Sequence, residues 1–238
     1  MSDSSKSAKR RLKTAEDLSS LRKSALTRTA ILDTAFRYLE KRPFRDLTIG
    51  LLMAQAGASR PAFYQYFVDL HEVMEILLAE LQEEVVAATS PWLAQKGDPV
   101  KLLKQGLRGL VDVCEERGAI LRAVSDAAPS DERLEKMWED FLRSFDDAVT
   151  ARIQQDQAIG IIPPFDARPV AHALNRMDAA VLIARFGQTP KAPKEEVLSA
   201  LTHCWVSALY PLPGYDAASG EPSAKASSEN TERLPPDT

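Results

Sequence analysis

Thr48-Ile-Gly-Leu-Leu-Met-Ala-Gln-Ala-Gly-Ala-Ser-Arg-Pro-Ala-Phe-Tyr-Gln-Tyr-Phe67 decides the fold. Thr48 is a helix-capping residue placed before Ile49, Leu52, Met53 and Ala56, which recur at helical spacing and predict one short inward face. Gly57 supplies a tight turn, Ser59 caps the next helix, and Pro61 sits in its first turn, where a missing N–H costs little. Phe63 and Phe67 are one helical turn apart and predict the buried side of that second helix. Two short helices joined by a small-residue turn have the layout of a helix-turn-helix, which can lay its second helix in a DNA major groove.

The flanking segments support this unit. From Thr27 onward, Ile31, Leu32, Ala35, Phe36 and Leu39 share one helical face, and Pro43 stops that helix just past Lys41 and Arg42. On the other side, Asp69 caps a further helix, with Glu72 in capping-box register and Val73, Met74, Leu77, Leu78 and Leu81 as its apolar side. The head thus has four helices. Pro91 and Lys96-Gly-Asp-Pro99 mark a boundary, after which five helices are predicted over 99–117, 119–127, 131–157, 166–186 and 194–210. Their separators are Gly118, Pro129, Ile161-Ile-Pro-Pro164 and Thr189-Pro-Lys-Ala-Pro193.

The predicted fold is all-α, with nine helices in two domains. Residues 1–23 form a disordered basic arm, 24–68 a helix-turn-helix domain, 69–210 a helical body for ligand binding and dimerisation, and 211–238 a disordered tail.

Composition narrows the function classes. A chain of 238 residues that is 45% hydrophobic and 27% charged has enough apolar material for a substantial core. No apolar run reaches the roughly 20 residues a membrane span needs, and the basic N-terminus has no apolar signal core, so the expectation is a cytoplasmic protein with no membrane partner. Cys114 and Cys204 read as small hydrophobes on apolar helix faces. His71, His172 and His203 show no metal-ligand spacing, and no metal or cofactor is expected. Ser125, Asp126 and either His172 or His203 assemble a triad only on paper, without a nucleophile elbow or a glycine-rich phosphate loop. No catalytic residues are assigned and the chain is not expected to be an enzyme.

Charge is unevenly distributed. Residues 1–60 carry 13 Lys or Arg against 6 Asp or Glu, a balance of +7, so a net charge of −4 leaves −11 for the remainder. A basic first quarter on an acidic remainder fits a polyanion-binding head. Within the arm, Lys9, Arg10, Arg11 and Lys13 are placed to neutralise phosphates or enter a minor groove, with Arg10 and Arg11 the assigned contacts.

The segment from Thr29 to Leu81, with its turn Ala56-Gly-Ala-Ser59 and its aromatics Phe63, Tyr64 and Phe67, resembles the DNA-binding head of the TetR family of bacterial regulators. The body resembles, more loosely, a mycobacterial branch of that family that represses an ethionamide-activating monooxygenase. The likeness is carried by Trp138-Glu-Asp-Phe-Leu142, Ala173-Leu-Asn-Arg-Met-Asp-Ala-Ala180, Phe186-Gly187, and Leu201 followed by Trp205-Val-Ser-Ala-Leu-Tyr210. The resemblance implies a homodimer paired through the last two body helices. Each subunit would place its third helix, about Ser59 to Tyr66, in successive major grooves of an inverted-repeat operator. A small ligand entering the body would release the DNA.

Matched to the family pattern, Thr48, Ser59, Arg60, Tyr64, Gln65 and Tyr66 are the operator candidates. Hydroxyls of Thr48, Ser59 and Tyr64 suit phosphates, Arg60 suits guanine or a phosphate, and Gln65 suits adenine. Many relatives carry a phosphate-contacting Lys just inside the fourth helix; Leu70 stands there in this chain, and His71 beside it is the substitute candidate.

In the body, Trp138, Phe141, Phe145, Leu174, Phe186 and Trp205 either fill a core or line a cavity for a small lipophilic effector. Asn175 and Asp178 lie three apart on one helical face and are candidate hydrogen-bonding hooks, or else members of a dimer interface or a local polar network. In the resembling branch both matching positions are Asn at a lipophilic cavity. Asp178 makes a wholly neutral hydrocarbon ligand unfavourable if it points inward, unless Arg176, Arg185 or the other subunit pairs with it.

Val170, Ala171, Leu174, Met177, Ala180 and Val181, followed by Val197, Leu198, Leu201, Val206, Ala208 and Leu209, provide more apolar surface than two buried helix faces require, which fits a C2 pair. The reading is a ligand-responsive DNA-binding transcriptional regulator, a repressor released by a small lipophilic effector. The other classes are a dimeric DNA-associated structural or interaction protein without an effector, and a small-molecule binder whose head has lost its operator.

Overall fold

The computed structural model describes residues 22–94, 97–210, 215–216 and 221–222. The basic arm, with Arg10 and Arg11, lies outside the described residues, as does most of the C-terminal tail. Eight α-helices are present among the described residues: α1 over 22–39, α2 Ile49–Gln55, α3 Arg60–Phe63, α4 Leu70–Ala94, α5 Pro99–Ala127, α6 Glu132–Ala158, α7 Ala167–Phe186 and α8 Lys194–Leu209. Short 3-10 turns at Phe44–Asp46 and Ala128–Ser130 link α1 to α2 and α5 to α6. The described β-structure is one antiparallel ladder, β1 Tyr215–Asp216 against β2 Glu221–Pro222.

The all-α expectation holds, but nine helices become eight. Gly118 does not divide 99–117 from 119–127; it lies inside α5. A Cβ built at Gly118 would come within 2.9 Å of the carbonyl carbon and oxygen of Phe186, so this glycine allows the α7 backbone to pass close to α5. Pro91 is likewise internal to α4 rather than a boundary. Proline removes the N–H that would bond the carbonyl four residues back, and here the Ser90 hydroxyl donates to that Ala87 carbonyl at 2.9 Å.

The chain divides into two compact units, with the divisions inside α4, α5 and α6. One unit comprises the chain through Glu80 together with Ala119–Glu135; the other comprises Leu81–Gly118 and the chain from Lys136 onward. In the first, Ile31, Leu32, Ala35, Leu39, Leu52, Met53, Phe63, Phe67, Val73, Met74 and Leu77 are buried, which is the apolar face anticipated from helical spacing. Arg122 of α5 is buried there and donates to the Leu39 carbonyl, satisfying an end group of α1. In the second unit α7 packs on α8, with Leu174, Leu182, Phe186, Leu198, Leu201 and Trp205 buried.

Candidate DNA-binding head and effector body

The local geometry of the head follows from its capping chemistry. The Leu51 amide donates to Thr48 Oγ1 at 3.2 Å, which starts α2, and the turn is closed by Gly57 at φ 69°, in the left-handed region that favours glycine. Ser59 occupies the N-cap position of α3 but makes no side-chain cap bond, so its hydroxyl remains for another acceptor or donor. The regular part of α3 is shorter than the sequence predicts, four residues rather than eight. Its continuation is tighter: Gln65 N–H donates to the Ala62 carbonyl at 3.2 Å and Tyr66 N–H to the Phe63 carbonyl at 2.9 Å.

The aromatics fix which side of α3 faces out. Phe63 and Phe67 are buried with ring centroids 5.4 Å apart, and the guanidinium of Arg28 from α1 lies 5.4 Å from the Phe67 ring centre. Tyr64 packs its ring edge-on to Phe63 at 5.5 Å yet is 56% exposed. Thr48, Ser59, Arg60 and Gln65 are also exposed, whereas Tyr66 is half-buried against Phe67. Five of the six helix-turn-helix candidates are thus exposed within one structural unit.

His71 has a different environment. It is half-buried, its Nε2 lies 2.5 Å from Asp131 Oδ2, and its ring meets the ring of Phe44 edge-on at 5.9 Å. The hydrogen bond from His71 holds the Asp131 carboxyl below its usual range, against opposing desolvation. Beside this pair, Arg133 donates to Asp69 at 2.7 Å and to Glu75 at 2.9 Å. Asp69 also accepts from the Glu72 amide at 2.9 Å, and Glu72 accepts from Val68 N–H at 2.5 Å, a variant of the expected capping box. The first turn of α4, three residues after Phe67, is therefore tied to the start of α6.

In the second unit the eight effector candidates separate into groups. Trp138 and Phe141 stack at 5.6 Å, and Phe141 meets Phe145 edge-on at 5.0 Å, making one aromatic row along α6. Phe186 is fully buried where it passes Gly118. Asn175 donates its amide to Asp146 Oδ1 at 2.8 Å, and His172 and Arg176 approach Asp146 Oδ2 at 3.0 and 3.5 Å. Asp178 instead meets Trp205: the indole N–H lies 2.9 and 3.1 Å from its two carboxylate oxygens. Burial pushes the Asp178 carboxyl up to about 7, and the Trp205 hydrogen bond opposes the rise. Neither anticipated arginine reaches it, since Arg176 faces Asp146 and Arg185 pairs with Glu196.

Several buried polar residues were not singled out from the sequence. Trp92 meets Trp205 edge-on at 5.6 Å and donates to Tyr210 Oη at 3.1 Å; Tyr210 donates to Asp156 at 3.0 Å, and Arg152 pairs with Asp156 at 3.2 Å. Burial raises Tyr210 to about 12. The signal for the acids was present in the sequence: Asp146 lies four residues after Leu142 and three before Val149, and Asp156 three after Ile153, on the apolar face of α6. Cys114 is buried and raised to about 12 by burial, with Asp178 adding to the effect, whereas Cys204 is exposed, contrary to its reading as a core hydrophobe. An open groove of about 510 Å³ runs beside α8, lined by Lys104, Arg108, Leu198, Thr202 and Val206 among others.

Residues 31–72 match the family of bacterial regulatory proteins named for tetR, and residues 103–211 match the C-terminal domain of the transcriptional regulator EthR. The HTH-type transcriptional regulator EthR of Mycobacterium tuberculosis is 30% identical over 185 residues, covering 76% of this chain and 86% of its own.

The chain belongs to the TetR family of bacterial transcriptional regulators.

The EthR of Mycolicibacterium smegmatis is 27% identical over 184 residues, covering 76% of this chain and 85% of its own. Among solved structures, a TetR-family regulator from Syntrophomonas wolfei superposes with a TM-score of 0.66 at 17% identity, covering 77% of this chain and 95% of that one. This TetR-family chain is thus a DNA-binding regulator rather than an enzyme. No described helix is long and apolar enough to cross a membrane.

Proposed function

We propose that the chain is a ligand-responsive repressor that binds an inverted-repeat operator as a homodimer and leaves it when a small lipophilic molecule enters the body. The observation that carries this reading is the helix-turn-helix itself: Phe63 and Phe67 are buried, while Thr48, Ser59, Arg60, Tyr64 and Gln65, at or beside the ends of α2 and α3, are exposed. Arg60 and Gln65 are the base-edge readers in this proposal, and Thr48, Ser59 and Tyr64 the phosphate anchors, with Arg10 and Arg11 of the arm adding salt-dependent affinity. His71, held by Asp131, positions α4 rather than offering a free contact.

The dimer forms through α7 and α8, which present Ala173, Ala180, Ala184 and Ala200 on their exposed sides next to the half-buried Met177 and Val181. Small residues permit close helix approach. The effector lies among Trp138, Phe141, Phe145, Leu174, Asp178, Phe186 and Trp205, with Asn175 holding Asp146 beside it. We assign residues 24–68 to operator binding and 69–210 to effector binding and dimerisation.

Selection of bound genomic fragments with purified protein, followed by anisotropy titration, tests the reading. A recovered inverted repeat bound by a dimer, with affinity falling steeply as salt rises, is expected. A monomer with negligible affinity for every duplex in dilute salt would overturn it.

A further inference from the structure

Asp178 is a buried acid of the body with a single described partner. It is 5% exposed, and both of its oxygens accept from a single donor, the Trp205 indole N–H. An ionised carboxylate offers about four acceptor positions, so one N–H leaves most of them unfilled.

No described cation completes the site. On its own helix, α7, His172 and Arg176 face Asp146 and Arg185 pairs with Glu196. From α5 comes the Cys114 thiol, held neutral by burial; from α8 comes Trp205. The neutral acid fares no better, because its O–H would then need an acceptor, and Trp205 is a donor only. Leu174 and Leu182, one turn to either side of Asp178 on the same helical face, are buried and apolar.

We infer that the effector is a hydrophobic amine, whose protonated nitrogen pairs with the Asp178 carboxylate while its hydrocarbon part lies against the apolar face of α7. The inference rests on the effector-sensing reading above and specifies the chemistry of that ligand. An ammonium group supplies the missing positive charge together with up to three donors, and a charge-assisted hydrogen bond away from water is among the stronger ones available. An alcohol or ketone with the same tail supplies no charge. A fatty carboxylate places like charge against like.

Three probes with one tail separate these cases: n-octylamine, n-octanol and n-octanoate, titrated into the full-length protein at pH 8 with Trp fluorescence and calorimetry as readouts. The amine is expected to bind about tenfold or more tightly than the alcohol, with octanoate weakest. In Asp178→Asn the amine and alcohol should converge to within about twofold. Equal binding of alcohol and amine by the wild type, or a variant that keeps the amine preference, would overturn the inference. The wild-type comparison decides it even if the variant does not fold. Operator release by octanol or octanoate but not by octylamine sinks the amine and leaves effector sensing intact; binding of none of the three sinks both.

Discussion

Replacing Asp178 by Asn should change the stability of this protein in opposite directions at the two ends of the pH scale. The carboxyl is buried and ionises near 7 in the folded chain instead of near 3.8. Because the folded pKa is raised, the unfolded chain gives up its proton first, and wild-type stability declines as pH climbs from about 4 to about 7 before levelling off. At about 1.4 kcal/mol per pH unit, the penalty reaches about 4 kcal/mol above pH 7 and falls below about 1 kcal/mol near pH 4. An Asn carbonyl can still accept from Trp205 Nε1, but its NH₂ must find a new acceptor, at a cost of about 1–2 kcal/mol. The variant should therefore melt several degrees higher than wild type at pH 8 and slightly lower at pH 4.5, since about 1 kcal/mol moves Tm by about 2–4 °C in a chain of this size. Thermal melts followed by circular dichroism across that range are the assay. A difference in Tm that stays constant with pH would refute the burial argument, because only a titrating group can make it change sign.

Four further outcomes are expected. Gly118→Ala places a Cβ about 2.9 Å from the Phe186 carbonyl, where backbone rather than a flexible side chain must give way, so about 1–3 kcal/mol of stability should be lost despite the better helix propensity of Ala, read as a lower Tm. Tyr64→Phe should weaken operator binding at physiological salt while the dimer persists by light scattering; unchanged anisotropy titrations would remove Tyr64 as an anchor. Arg60→Ala separates two roles: loss of a guanine contact relaxes specificity at one base pair by about 1–3 kcal/mol, whereas loss of a phosphate contact weakens all sequences alike and reduces the salt slope by about one. Asp131→Asn should lower Tm at neutral pH, and because His71 depresses the wild-type carboxyl, the difference should shrink as pH falls through the acid range.

The head was legible in sequence because its determinants are local. Thr48 capping α2, Gly57 at positive φ and the Phe63 and Phe67 pair are all set by residues within about four positions of each other. Where the structure adds to the sequence reading, the reason is most often a partner far along the chain. Gly118 looks like a helix break until Phe186, on another helix, shows why a side chain is excluded there. Asn175 reads either as a hook or as part of a local polar network, because Asp146, which accepts from its amide, lies 29 positions earlier on a different helix. His71 reads as a substitute phosphate contact until Asp131, 60 positions on, takes its Nε2. Pro91 is the exception, being rescued by the hydroxyl of its immediate neighbour Ser90, a local device masked by the strength of proline as a helix-stop signal.

The interior of the body supplies its own argument about function. A body needed only for dimerisation has no use for buried charge, because replacing a buried polar set by well-packed apolar residues is often neutral or stabilising. Two of its acids nonetheless have several partners each: Asp146 has His172, Asn175 and Arg176, and Asp156 has Arg152 and Tyr210. Those sets tie α6 to α7 and to the end of α8, and each restricts how the helices can shift. Asp178 lies in the same unit with one indole N–H and a carboxyl displaced to about 7. Asp146 and Asp156 on α6 each have more than one partner while Asp178 on α7 has one, and this contrast is what supports the proposal of an external group at Asp178. In that proposal a group added from solution would supply Asp178 with a second partner, and Trp205, bonded to both of its oxygens, would link the change to α8.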